Sequence, residues 1–130
     1  MSDYAIVNLL ELDDSVAGRA DGMEGRFGRS ALGAQDIGVS HWRYAANFRS
    51  PAAHSHREQE EAYVVVAGSG RVRLGDEVLE IRQWDAIRVA PAVLRQFEAG
   101  PDGLDLLAVG GPKPEGGDGV LSDSPWPEED

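Results

Sequence analysis

The stretch AHSHREQEEAYVVVAG, residues 53–68, decides how this chain is interpreted. His54 and His56 are two residues apart, so on a β-strand their imidazoles project from the same face. Glu61 follows after four residues, and a turn at residues 57–60 would return its carboxylate to the histidines. Two histidines and one carboxylate form the facial ligand set of non-heme iron sites, and imidazole also suits other ions. The pattern predicts a site for a divalent metal such as Fe, Mn, Ni or Zn, with a solvated charged hairpin as the alternative.

Short apolar runs lie on both sides of this stretch. In residues 40–48, Trp42, Tyr44 and Phe48 alternate with other residues, which is the period of a half-buried strand. Glycine supplies the positive φ that tight turns need, so Gly68 and Gly75 are expected to lie in hairpins. Short strands at this spacing predict an all-β sandwich, jelly roll or barrel. The other candidate strands are residues 62–67, 71–74, 78–81, 86–89, 95–98 and 104–109.

Length and composition exclude several classes of protein. A chain of 130 residues fits one domain. The net charge of -11 repels phosphate groups, which argues against nucleic acid or a membrane as partner and leaves a small-molecule ligand. Because the chain has no cysteine, any metal must be held by nitrogen or oxygen. No apolar run has the length of a membrane span and the first residues lack signal-peptide features, so we expect a cytoplasmic protein.

The spacing of His54, His56, Glu61 and Gly68 resembles the first motif of the cupin superfamily. The resemblance covers residues 40–110 and implies a double-stranded β-helix, which is an antiparallel jelly roll of two sheets with the site inside one open end. Together with the composition of the two ends, it divides the chain into an N-terminal strand and loop (residues 1–35), a barrel (residues 36–110) and an acidic tail (residues 111–130). Small cupins commonly pair by exchanging an N-terminal strand, so the resemblance also implies a homodimer, with residues 5–12 as the exchanged strand.

The second cupin motif is present only in part. Trp84 replaces one of its glycines, and Arg95 lies where the family has the histidine that completes the metal shell. A guanidinium has no lone pair to donate, so Arg95 cannot be a ligand. Alternation with Phe97 predicts that Arg95 faces inward. At an effective dielectric near 20 and a separation of about 5 Å, Arg95 would repel a divalent ion by roughly 7 kcal/mol. The attraction between the ion and the Glu61 carboxylate is of about the same size.

Two functions follow from these residues, and the sequence leaves both open. In the first, the three candidate ligands hold a metal and Arg95 binds an anionic or oxygen-bearing substrate, which makes the protein a metal-dependent enzyme. In the second, Arg95 pairs with Glu61 in place of the ion, and the protein is a metal-free module that binds a small ligand or has a structural role.

Three further predictions concern other residues. Tyr63 shares the face of Glu61 under strict alternation, so its hydroxyl is a candidate donor to Glu61 or to a ligand. His41 lies on the face opposite Trp42 and is expected on the surface. The tail is rich in proline, glycine and acidic residues and cannot build a core, so we interpret it as solvated; Trp126 and two other apolar residues leave docking on the barrel as the alternative.

Overall fold

The computed structural model describes residues 3–127, and strands account for most of its regular structure. This confirms the predicted all-β class. Among the described residues, no helix is both long enough and apolar enough to span a membrane. The elements in chain order are a 3-10 helix (Leu9–Glu11), β1 (Met23–Phe27), α1 (Arg29–Leu32), β2 (Gly38–Tyr44), β3 (Ala53–His56), β4 (Glu61–Leu74), β5 (Glu77–Arg82), β6 (Ala86–Val89), β7 (Arg95–Gly110) and β8 (Gly119–Ser122).

The long strands β4 and β7 form the central ribbon of the sheet. They pair antiparallel from Glu61 opposite Gly110 to Leu74 opposite Arg95. The other edge of β7 pairs with β2 and β3, and the other edge of β4 pairs with β5 and β6. Bulges interrupt the ribbon near its middle, and bulges bend strands. Because each half of the bent ribbon has its own neighbours, the sheet curls into the predicted antiparallel jelly roll.

The curled sheet encloses one apolar core. Val65, Leu104 and Leu106 from the ribbon are at most 1% exposed. Tyr63 packs against Phe97 with 4.8 Å between their ring centroids. Removing these side chains from water is the main favourable contribution to folding. Since Tyr63 also borders the predicted site, the site is built directly on the rigid core.

The expected break at Gly68 is wrong, because the chain does not reverse there. Residues 62–67 and 71–74 belong to one continuous strand, β4. The two strands expected near the end of the barrel likewise merge into β7. The turn at Gly75 does connect β4 with β5, as predicted.

Close backbone contact explains the glycines inside β4. A Cβ atom on Gly68 would collide with the carbonyl oxygen of Gly103, and one on Gly70 would collide with the carbonyl oxygen of Glu98. Both contacts lie at the bulges between β4 and β7. Glycine is therefore needed here because two backbones approach each other, although Gly68 also has a positive φ of 75°.

Two further expectations concern the N-terminal half. Residues 5–12 form no strand in the single chain; the 3-10 helix begins there, and the side chain of Asn8 accepts a hydrogen bond from the backbone of Leu10. His41 was expected on the surface, and this is wrong: it is only 6% exposed, and its Nε2 lies 3.0 Å from Asp105 of β7. Alternation along β2 could not reveal a partner that lies 64 residues away.

Residues 118–126 dock on the barrel, which confirms the alternative interpretation for this part of the tail. β8 pairs with β3, with Ala53 opposite Ser122 and His56 opposite Gly119. Trp126 is 4% exposed. The tail therefore covers the strand that carries the two predicted histidine ligands.

Candidate metal centre

The turn between β3 and β4 brings the three predicted ligands together. His54 and His56 lie on one face of β3, with 5.1 Å between their ring centroids. Oε1 of Glu61 lies 3.0 Å from Nε2 of His56 and 3.7 Å from Nε2 of His54. One ligand atom from each residue lies within 4.8 Å of the other two. The cluster expected from the spacing is therefore present in the folded chain.

Glu61 is the electrostatic centre of this cluster. Its Oε1 also accepts a hydrogen bond of 2.5 Å from the hydroxyl of Tyr63, the donor that alternation predicted. Burial alone would raise the pKa of Glu61, but the two imidazoles and the hydroxyl outweigh burial and hold that pKa well below its ordinary value. Burial and the neighbouring carboxylate raise the pKa of Tyr63. At neutral pH, Glu61 is therefore an anion and Tyr63 a neutral donor.

His56 lies between two carboxylates. Its Nδ1 is 2.9 Å from Oδ1 of Asp118, on the side opposite Glu61. The Glu61 carboxylate raises the pKa of His56, burial opposes the rise, and Asp118 adds to it. Burial would raise the pKa of Asp118, but backbone hydrogen bonds from Glu58 and Gln59 and the contact with His56 lower it to about 2. Asp118 is therefore an ionised acceptor.

The donor atoms of this cluster fit a metal ion. Nε2 of His56 is buried and, among the described residues, its polar contact is with Oε1 of Glu61 at 3.0 Å. An ion bound by Nε2, the Glu61 oxygen and the imidazole of His54 would satisfy that nitrogen with ligand types that Fe, Mn, Ni and Zn all accept.

Arg95 borders the cluster but does not pair with Glu61. The β3–β7 register places it directly opposite His54, and it is fully buried, which agrees with the predicted inward orientation. Its terminal nitrogens donate to the backbone carbonyls of residues 89–91 at 3.3–3.4 Å. Within the described chain, the ion pairs of Glu61 go to the histidines. The pairing that the metal-free alternative requires is absent, because the end of β6 and the turn after it take up the guanidinium.

The cluster opens into a cavity of about 540 Å³. Trp42 and Tyr44 stack in this cavity with 6.4 Å between centroids, and Phe27 meets Trp42 edge to face at 5.3 Å. These three rings form an aromatic wall on β1 and β2. Arg95 and Tyr63, the two residues predicted to contact a ligand, line the same cavity.

Sequence reasoning missed Asp118 as a residue of the site. It lies 62 residues after His56, in a segment that was expected to be solvated. The available signal was weak and indirect, because only a few apolar residues near Trp126 indicated that this segment docks.

No family model and no curated protein matches this chain. Solved structures do match. A cupin protein from Bacteroides fragilis is 21% identical with a TM-score of 0.71, and the match covers 100% of this chain and 98% of that one. A sugar phosphate isomerase of the cupin superfamily from Silicibacter pomeroyi is 19% identical with a TM-score of 0.72, covering 92% and 83%. A polyketide cyclase from Streptomyces resistomycificus is 20% identical with a TM-score of 0.73, covering 95% and 89%. The chain therefore has the cupin fold, as its first motif predicted.

Proposed function

We propose that this protein binds one divalent metal ion through His54, His56 and Glu61 and acts on a small anionic or oxygen-bearing organic molecule in the adjacent cavity. The observation that carries the proposal is the convergence of one ligand atom each from His54, His56 and Glu61 within 4.8 Å, with the buried Nε2 of His56 3.0 Å from an ionised carboxylate oxygen. When bound, the ion supplies a Lewis acid for an oxygen atom of the ligand. Because one fold serves many reactions, the proposal rests on the site and not on the names of similar structures.

Asp118 makes the charge balance of the site favourable for a cation. In the sequence motif alone, the positive charge of Arg95 offsets the negative charge of Glu61. The structure adds a second carboxylate, because Asp118 lies 2.9 Å from His56 and is ionised. Two negative charges and one positive charge leave the site net negative. The repulsion of an ion by Arg95 is therefore compensated by two carboxylates.

The cavity supports an organic ligand beside the ion. Its aromatic wall of Phe27, Trp42 and Tyr44 can bury apolar atoms of a ligand. Lys113 lines the same cavity, is exposed and has no ion pair among the residues that the structure describes. We assign the attraction of an anionic group to Lys113 at the rim and to the charge of Arg95 inside.

Metal analysis of protein purified without an affinity tag and then equilibrated with each ion tests the proposal. We expect roughly one ion per chain with at least one of Fe, Mn, Ni and Zn. Glu61→Gln should weaken binding at least about tenfold, because the amide has no charge to attract the ion. Glu60→Gln is the matched control, since Glu60 is exposed and pairs with Arg88. Less than about a tenth of an ion per chain with every metal, or equal affinity of the two variants, would refute the proposal.

A further inference from the structure

The C-terminal strap, residues 118–126, lies along the strand that carries both histidines. Its strand β8 pairs with all four residues of β3, so that Gly119 lies opposite His56. Beyond β8, Arg73 donates to the backbone oxygen of Ser124 at 2.8 Å and to its hydroxyl at 2.7 Å. The strap is thus attached by a strand ladder and by side-chain hydrogen bonds.

Trp126 holds the end of the strap. The guanidinium of Arg49 lies 4.4 Å from the ring centroid, and that of Arg71 lies 5.4 Å away. Hydrogen bonds and ion pairs with Glu98 hold both arginines. Cation–π contacts of this kind contribute about 0.5–2 kcal/mol each. The strap is therefore anchored at its far end as well as at Asp118.

Asp118, the first residue of the strap, determines which nitrogen of His56 carries the ring hydrogen. Its Oδ2 accepts the backbone N–H groups of Glu58 at 2.7 Å and Gln59 at 2.8 Å, which fixes the orientation of the carboxylate. Its Oδ1 lies 2.9 Å from Nδ1 of His56, and an ionised carboxylate can only accept. The neutral ring therefore carries its hydrogen on Nδ1 and directs the lone pair of Nε2 toward Glu61.

We propose that docking of the C-terminal strap controls metal affinity, with Asp118 as the positioning residue that keeps Nε2 of His56 available as a ligand. The inference rests on the metal site proposed above. Partners that orient a ligating histidine typically change metal affinity by 10–100-fold. Coupling between two equilibria is reciprocal, so a bound ion stabilises the docked strap by the same factor.

Asp118→Asn tests the positioning role. Asparagine has one acceptor oxygen, which the backbone N–H groups of residues 58 and 59 attract, and its NH₂ group then faces Nδ1 of His56. We expect the imidazole nitrogen chemical shifts of the metal-free protein, at a pH where the ring is neutral, to change from the Nδ1–H form to the Nε2–H form. Zinc affinity should fall by about 10–100-fold. Asp123→Asn is the matched control, because Asp123 is an exposed residue of the same strap.

This experiment distinguishes a failure of the positioning role of Asp118 from a failure of the proposed metal site. If wild-type protein binds zinc and Asp118→Asn keeps both the tautomer and the affinity, the positioning role is refuted and the metal site stands. If wild-type protein binds no metal, the proposed function is refuted, and the coupling of strap to metal falls with it. The tautomer of metal-free His56 then still decides whether Asp118 orients the ring.

Trp126→Leu tests the docking step without a change at the site. Loss of the ring contacts with Arg49 and Arg71 should speed hydrogen exchange in β8 and lower zinc affinity, while slow exchange at Val65 and Val72 shows that the barrel is still folded. In wild-type protein, zinc should slow exchange in β8. Faster exchange in β8 with wild-type zinc affinity would overturn the coupling.

Discussion

The hydroxyl of Tyr63 is predicted to stabilise the folded chain through its bond to Glu61, and Tyr63→Phe removes that hydroxyl alone. The side chain is 3% exposed, and the distance of 2.5 Å to an ionised carboxylate is that of a charge-assisted hydrogen bond. Such bonds contribute about 1.5–3 kcal/mol, so the free energy of unfolding should fall by about 2 kcal/mol. Phenylalanine keeps the ring packing on Phe97, so the substitution creates no large cavity.

Equilibrium urea denaturation of the metal-free protein near neutral pH measures this loss, which corresponds to a decrease of about 6–8 °C in melting temperature for a chain of this size. Tyr44→Phe is the matched control. Tyr44 lines the same cavity and is 7% exposed, and burial alone raises the pKa of its hydroxyl. Because the described residues give the Tyr44 hydroxyl no hydrogen bond to lose, this control should lose clearly less stability than Tyr63→Phe. Equal losses in the two variants would refute the reasoning.

Three further measurements test other parts of the structure. Trp84 has a φ of 74° and is 70% exposed, so Trp84→Gly should relieve about 1 kcal/mol of left-handed strain and raise the melting temperature. Asn47→Gly, at a φ of 61°, should raise the melting temperature less, because asparagine tolerates this conformation. A lower melting temperature for Trp84→Gly than for wild type would contradict the proposed strain at Trp84. The pKa of Asp118 falls from 3.8 to about 2 on folding, so its ionised form stabilises the protein above about pH 4, and this contribution is lost as the pH falls toward about 2. The stability difference between wild type and Asp118→Asn in urea titrations should therefore narrow on acidification, and a constant difference would count against the lowered pKa. Sedimentation at micromolar concentration should give twice the 14.0 kDa chain mass, because exposed Ile6 and Leu10 are available to a second chain, and a single species of 14.0 kDa would exclude the homodimer.

The metal ligands and their hydroxyl donor could be predicted because they are close in sequence. His54, His56, Glu61 and Tyr63 lie on two consecutive strands joined by one turn. The period of a strand fixes the face of each side chain, and one turn fixes the relation between the strands. The inward orientation of Arg95 followed from the same rule.

The lengths of β4 and β7 could not be predicted, because glycine has two physical uses. At Gly75 it allows the chain to reverse, and at Gly68 and Gly70 it allows two backbones to approach closely. The two uses can be distinguished only from the partner strand β7, whose residues Glu98 and Gly103 make the close contacts and lie far along the chain. A local pattern therefore predicted a break where the folded protein has a bulge.

The tail shows why the electrostatics of the site could not be obtained from the motif. Average composition correctly indicated that about half of the described tail residues are exposed, but docking depends on three residues: Asp118, Ser124 and Trp126. Their contacts are with residues of the barrel more than 50 positions earlier. The motif alone balances the guanidinium of Arg95 against one carboxylate and predicts a weak metal site. Asp118 makes the local charge negative and orients His56, so the segment with the weakest sequence signal changes the expected affinity from marginal to favourable.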